Sequence, residues 1–154
     1  MTGSIRNLTY ALNKLLRDNV SLVANRVYPV GVREENRTPR ISVSELTPRE
    51  TFAGIGANVP VWKNVAFKID VWDKDPIMVE KVAEQVEDAV AKNRSYRPAS
   101  FPVRDEKTGA TSTVTNSEYF MNLRVTGGSA TDLNASKQLY QRTINVGGLW
   151  LQLA

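Results

Sequence analysis

Three aspartates near the middle of the chain are the residues whose types and spacing come nearest to those of a catalytic metal site. Asp70, Asp73 and Asp75 stand where an alternating segment passes into a helical one, and nucleases often hold divalent metal ions through carboxylates at strand ends. Lys74 follows Asp73 directly, so the acid-x-Lys pattern of such sites is missing. Asp70 belongs to the polar face of its strand, and Asp75 is placed to cap the next helix. We therefore expect no metal here.

The composition removes most other catalytic groups. The chain contains no His and no Cys, so it offers no imidazole base, no thiolate nucleophile and no ordinary zinc site. Its serines have no identifiable base, which a serine nucleophile needs. Neither Gly54-Ile-Gly56 nor Gly127-Gly128 precedes the helix start that phosphate binding requires. We expect no catalytic residues and no cofactor.

The elements that surround the aspartates are a long strand and an amphipathic helix. Residues 63–72 alternate, with one apolar face formed by Val65, Phe67, Ile69 and Val71. Pro76 suits a first helical turn, and the helix that follows has its apolar positions at Val79, Val82, Val86 and Val90. The apolar face of the strand and the apolar stripe of the helix should each be buried by packing against the other.

The remaining periodic segments complete the fold prediction. Ser4 is a good N-cap for a first helix with an apolar stripe, and this helix should fade near residues 18–19. Alternation predicts strands at 40–46, 118–125 and 139–146, with a bend at Gly147-Gly148 and an extension over 149–153. We expect an α+β fold in one domain, residues 1–154, with two helices packed on one face of an antiparallel sheet of about four strands.

Three segments are predicted to be extended loops that serve as interfaces. They cover about residues 47–62, 94–116 and 127–138, and they are rich in Pro, Gly or small polar residues. Long loops inside compact domains are usually functional or disordered.

The charge distribution suits assembly at least as well as nucleic-acid binding. Net charge is +4, yet residues 63–93 carry 7 acidic and 5 basic side chains, whereas both flanking parts are basic. Arg94, Arg97 and Arg104, with Tyr96 and Phe101, are candidates for single-strand binding, but Asp105 and Glu106 follow at once. No apolar run reaches membrane-spanning length, and residues 1–7 lack the order of a signal peptide, so we expect a cytoplasmic protein without a membrane.

One charged helix face and a few large side chains are the candidate protein-interface residues. The second helix carries its acidic side chains away from the valine stripe, and they form either a solvated face or a contact with a basic loop of a neighbouring subunit. Tryptophans at both ends of the long strand are either core residues or interface anchors. The candidates, including side chains from the polar loops, are Arg33, Arg37, Arg49, Phe52, Trp62, Trp72, Glu80, Glu84, Glu87 and Asp88.

An apolar first helix is followed by Arg26-Val-Tyr-Pro29, by Pro39-Arg-Ile-Ser-Val-Ser-Glu45 opening a strand, and by a strand ending in Ile-Asp-Val-Trp72 before the second helix. In this order of segments the chain resembles the small tail-completion, or tail-terminator, proteins of long-tailed bacteriophages. The resemblance covers roughly residues 5–125. The segment 127–154 is longer than in the simplest members of the family.

The resemblance implies a structural virion protein in the tail or neck, assembled in a host cytoplasm. It implies a homo-oligomeric, hexameric ring that caps the tail tube, ends its polymerisation and provides the docking surface for the head or neck. Its partners would be further copies, the tail tube protein and a neck or head-completion protein, with double-stranded DNA only in transit. A head-completion or neck adaptor is the alternative, and a small nucleic-acid-binding module is a further one.

Overall fold

The computed structural model describes residues 5–29, 37–46, 51–53, 61–96, 100–104, 111–115 and 119–152. Two helices and nine strands lie in these residues. In chain order they are α1 (Ile5–Asn19), a 3-10 turn (Ser21–Val23), β1 (Val27–Pro29), β2 (Arg40–Leu46), β3 (Thr51–Ala53), β4 (Val61–Asp73), α2 (Pro76–Lys92), β5 (Ser100–Arg104), β6 (Thr111–Thr115), β7 (Tyr119–Gly128), β8 (Asp132–Asn134) and β9 (Leu139–Gln152).

A mostly antiparallel sheet forms the body of the described residues. Its main path runs β1-β2-β4-β9-β7, while β3 adds to β4 and β8 adds to β9. The pair β1–β2 is parallel. The two longest strands, β4 and β9, pair along their whole length from Val61 opposite Gln152 to Asp73 opposite Tyr140. The α+β prediction is confirmed, and the sheet has more strands than the four expected.

Both helices cover the same face of the sheet, as the alternation predicted. The apolar residues of β4 face those of β2 and β9, with Ile69 between Val43 and Ile144 in the register. Together with the stripes of α1 and α2 they form one buried cluster. Three rings pack edge to face within it, with centroids of Phe120 at 5.9 Å from Phe67 and 4.6 Å from Trp150. Such pairs add to the stabilisation from burial alone.

The start of α2 follows from its sequence. Asp75 is the N-cap, and its Oδ1 accepts a hydrogen bond of 2.9 Å from the backbone N–H of Ile77. Pro76 occupies the first turn, where the missing N–H costs nothing. The capping role predicted for Asp75 is confirmed. The predicted cap of α1 at Ser4 lies outside the described residues.

The segments predicted as loops contain strands. β3 and the start of β4 lie in 47–62, β5 and β6 form an antiparallel ribbon in 94–116, and β8 together with the end of β7 lies in 127–138. The last predicted strand does not end at the glycines, because β9 continues through Gly147 and Gly148. The strands β3, β5, β6 and β8 each pair with a strand next to them in sequence, but they are too short or too polar for apolar alternation to reveal them.

Among the described residues, no helix is both long enough and apolar enough to cross a membrane.

Candidate assembly interface

The three central aspartates are occupied by contacts within the fold. The Oδ1 of Asp70 accepts hydrogen bonds from Thr143 Oγ1 at 2.6 Å and from Gln141 Nε2 at 2.9 Å. Asp73 accepts one from the backbone N–H of Asp75 through Oδ2 at 2.9 Å. Since Asp75 caps α2, each carboxylate has a structural role. In the part of the chain that the structure describes, no three acidic side chains gather as metal ligands.

The acidic face of α2 is divided between an internal contact and the surface. Arg142 of β9 donates from Nη1 to Glu80 Oε2 at 2.5 Å and from Nη2 to Glu87 Oε1 at 3.3 Å. Thr131 also donates its hydroxyl to Glu80. The Arg142 side chain is 27% exposed, but those of Glu80 and Glu87 are 52% and 42% exposed. The bridge therefore lies at the surface, where it ties the helix to the sheet with a modest gain in stability.

Glu84 and Asp88 form the outward part of that face. Both are exposed, and no interaction of either is found within the described residues. They lie one turn apart, so their like charges repel weakly within the helix. Of the four acidic residues predicted for an interface, these two are therefore free to meet a positively charged partner.

Trp72 lies on the sheet face away from the helices and is only 4% exposed. Its Nε1 donates to Ser42 Oγ at 3.1 Å, and the Lys137 ammonium lies 4.3 Å from the ring centroid. The turn between β8 and β9 therefore contacts the end of β4. In the single copy these contacts satisfy Trp72, and its role at an interface stays a prediction.

The other predicted interface residues are placed less fully. Phe52 of β3 and Trp62 of β4 are directly opposite each other in the register. Arg37 is exposed. Arg33 and Arg49 lie outside the described residues. These assignments stay predictions.

The segment after α2 seals part of one sheet edge. Tyr96 and Phe120 exchange backbone hydrogen bonds of 3.0 and 2.8 Å, and the Leu123 N–H donates to the Arg94 carbonyl at 2.9 Å. The Arg94 guanidinium also donates to Asn122 Oδ1. Burial, and secondarily the negative charge of Asp18, raises the pKa of Tyr96 to about 12. Tyr96 and Arg94 are thus parts of the fold, which disfavours their use as a stacking platform for nucleic acid.

The second half of β7 has no such cover. From Val125 to Gly128 it pairs with β9 on one side, and no other described strand pairs with it on the outer side. Residues 124–130 are all exposed. Bulges interrupt the β7–β9 ladder between Met121 and Arg124 and between Val125 and Gly127. This half of β7 is called the open edge below.

A groove runs between α2 and the open edge. One cavity of about 300 Å³ is lined by Val90, Ala91, Leu123 and Val125 together with Glu87, Arg94 and Arg124. A second, of about 390 Å³, continues along Val125 to Ala130 and reaches Arg142. The groove is apolar along its floor and charged at its walls, which is the composition of a protein-contact site.

The most informative residues of this region were not singled out from the sequence. Arg142 is 62 positions from Glu80, so nothing local connects them. Gly127 was interpreted as part of a loop. The pair Gly127-Gly128 directly after an alternating strand was the available signal, because glycine in a strand often marks a bulge or a close approach of another backbone.

The sequence matches no protein-family model and no curated protein. Among solved structures, the chain is similar to a chain of the "Virion of native gene transfer agent (GTA) particle", with a TM-score of 0.58 and 12% identity. The match covers 94% of this chain and 95% of that chain. At this identity the likeness is one of fold.

Proposed function

We propose that this chain is a structural subunit of a phage-like virion. Copies form a ring that caps the tail tube, stops its growth and offers a surface to the neck of the filled head. DNA passes through the ring, and the chain performs no reaction. Its partners are further copies of itself, the tail tube protein and a neck protein.

The fold match carries this proposal. It extends over nearly the full length of both chains. A fold alone does not fix a function. The order of elements adds weight, because it also resembles the tail-terminator family.

The surface of the chain agrees with assembly. An open sheet edge, an apolar groove and unpaired carboxylates are features that a second protein can use. A ring needs two different surfaces that meet head to tail and close by rotation. The acidic side chains Glu84 and Asp88 and the basic side chains Arg94 and Arg124 supply opposite charges on the exposed surface.

Electron microscopy of the purified protein, alone and mixed with tubes of the tail tube protein, tests the proposal. We expect rings with a central hole, and extra density at one end of the tubes whose further growth has stopped. A protein that stays monomeric and leaves tube growth unchanged would overturn the proposal. Binding to necks or heads without binding to tubes would replace the terminator with the neck adaptor.

A further inference from the structure

We infer that the open edge of β7, from Val125 to Gly128, receives β6 of a neighbouring copy as an added strand. The inference rests on the proposed ring, since it names the place where two copies meet. Backbone hydrogen bonds of an added strand supply the attraction, and pockets beside the edge select its side chains.

The first observation is the contrast along β7 itself. Between Phe120 and Leu123 the outer side of the strand is closed by backbone bonds from Arg94 and Tyr96. Beyond Val125 no described strand takes over that role. Unpaired backbone groups on an edge strand are a template for another chain. The bulge after Val125 limits which register fits, so the edge favours one specific partner over indiscriminate pairing.

The second observation is the pair of glycines at the end of the open edge. At Gly128 a Cβ would lie 2.3 Å from the carbonyl oxygen of Thr143, so the fold itself requires glycine there. At Gly127 a Cβ would meet no atom within 4 Å. Nothing in the described part of the copy therefore requires a glycine at this exposed position. A glycine in a strand often marks the site where another backbone approaches closely.

The third observation is the groove beside the edge. Its two cavities share Val125 and Glu87, so they continue into each other along α2. Alternate side chains of an added strand would point into this groove, and its floor of Val90, Leu123 and Val125 would bury apolar groups.

The ribbon of β5 and β6 supplies the strand that we assign to the open edge. In the described residues β6 pairs with β5 alone. Pro102 deprives β5 of one backbone N–H, whereas Thr111–Thr115 has no proline and is rich in β-branched residues. A two-stranded ribbon is only marginally stable by itself in water. β6 is thus the better of the two strands for adding to another sheet.

The position of the ribbon makes the contact one between copies. β5 contacts α1, and Tyr96, a few residues before β5, pairs with Phe120 near the start of β7. β6 ends at Thr115, shortly before β7 begins at Tyr119, so the ribbon adjoins the first half of β7, whereas the open edge is its other end. One copy therefore has a donor strand and an acceptor edge at different places. A head-to-tail contact of this kind repeats around an axis and closes into a ring.

Gly127→Val is the direct test. Its new side chain has free space within the copy, so the monomer should unfold at about the same urea concentration as wild type. Gly127 lines the second cavity, so the valine takes up room in the groove that the side chains of an added strand would need. We expect self-association, measured by sedimentation, to weaken about tenfold or more through loss of ladder hydrogen bonds. Ala135→Val, at an exposed position of the β8–β9 turn, is the matched control and should assemble like wild type.

Cysteine cross-linking tests the same contact without added bulk. The chain has no Cys, so two variants, Thr113→Cys and Thr126→Cys, can be mixed with one of them tagged. Mild oxidation should give the tagged-plus-untagged dimer, because a disulfide forms only when the two Cβ atoms come within about 4.5 Å. The mixture of Thr113→Cys with Ala135→Cys should give none.

The results separate this inference from the proposed function. If wild type forms rings, yet Gly127→Val forms the same rings and the Thr113–Thr126 pair gives no disulfide, the strand contact is wrong and the ring remains. If wild type forms no assembly at any concentration, both are wrong. Weakened assembly of Gly127→Val together with the specific disulfide supports both.

Discussion

The two halves of β7 differ in what lies along their outer edge. The first half contributes Phe120 and Leu123 to the core, and the segment after α2 closes its backbone. In the second half, Val125 is 39% exposed and no described strand pairs with the outer side of the backbone. The first half of β7 is therefore covered within the single copy, whereas no described strand covers the second half.

This difference indicates how the chain divides folding from assembly. The closed half is held by ring packing and by backbone bonds that the single copy supplies. The open half, from Val125 to Gly128, lies beside an apolar groove and contains Gly127, a glycine that the described part of the single copy does not require. A strand addition completes that half, so we expect substitutions in the two halves to affect different measurements.

The largest effect on stability is expected in the closed half. Phe120→Ala removes a fully buried ring that contacts Phe67 and Trp150, and it should lower the free energy of unfolding by about 3–5 kcal/mol. Val125→Ala, in the open half, should lower it by less than about 1 kcal/mol, because much of that side chain is already in water. Urea unfolding followed by circular dichroism measures both. Equal losses would remove the distinction between the halves.

A smaller effect on stability is expected from the salt bridge of Arg142 with Glu80 and Glu87, which lies beneath the open edge. Arg142→Met breaks both contacts with Glu80 and Glu87 at the surface, and it should lower the free energy of unfolding by about 1 kcal/mol. Arg124→Met, at an exposed position of β7, is the control and should change it by less than about 0.5 kcal/mol. A double-mutant cycle of Arg142→Met with Glu80→Gln isolates the pair. A coupling energy of zero would show that the bridge adds nothing.

The stabilisation that Tyr96 gives to the first half of β7 should decrease at alkaline pH. The pKa of Tyr96 is raised from 10.0 to about 12 in the folded chain, so folding favours the neutral phenol. Its contribution is complete below pH 10 and is lost as the pH rises towards 12, by about 1 kcal/mol after allowance for partial solvent exposure. Urea unfolding at stepwise pH measures this. Tyr96→Phe should flatten the dependence, and an unchanged slope would assign it to other groups.

The smallest effect on stability is expected at the outward carboxylates of α2. Glu84→Lys with Asp88→Lys should change the free energy of unfolding by less than about 0.5 kcal/mol, because both side chains are exposed. The same double variant should raise the concentration for half-assembly about tenfold if a basic surface of the next copy meets them. Sedimentation at low and high salt measures this. Unaltered assembly would make the pair a solvated face.

The sequence predicted those parts of the fold that depend on local periodicity. Both helices, the cap at Asp75 and the strand over Arg40–Leu46 were predicted, because apolar spacing and capping residues act within a few positions. The ribbon and the short strands were not, although each pairs with a strand next to it in sequence. They are only three to five residues long, and their polar residues and Pro102 give too little apolar alternation to predict a strand.

The candidate site was predictable only in part, because it depends on contacts between residues far apart in the sequence. The acidic face of α2 was recognised from its spacing, but its division by Arg142 depends on the register of β9 against β4, which places Arg142 opposite Val71. The open edge depends on the segment after α2 ending its contacts at Leu123. Such long-range facts are decided by the packing of whole elements, and no short motif encodes them.

Hydrogen exchange measured on dilute monomer and on assembled protein tests the central claim most directly. We predict that the backbone amides of Val125–Gly128 and of Thr111–Thr115 exchange much more slowly in the assembly, while those of Phe120 and Leu123 are already slow in the monomer. Amides of the open edge that exchange equally fast in both states, in an assembly that is otherwise protected, would contradict the account.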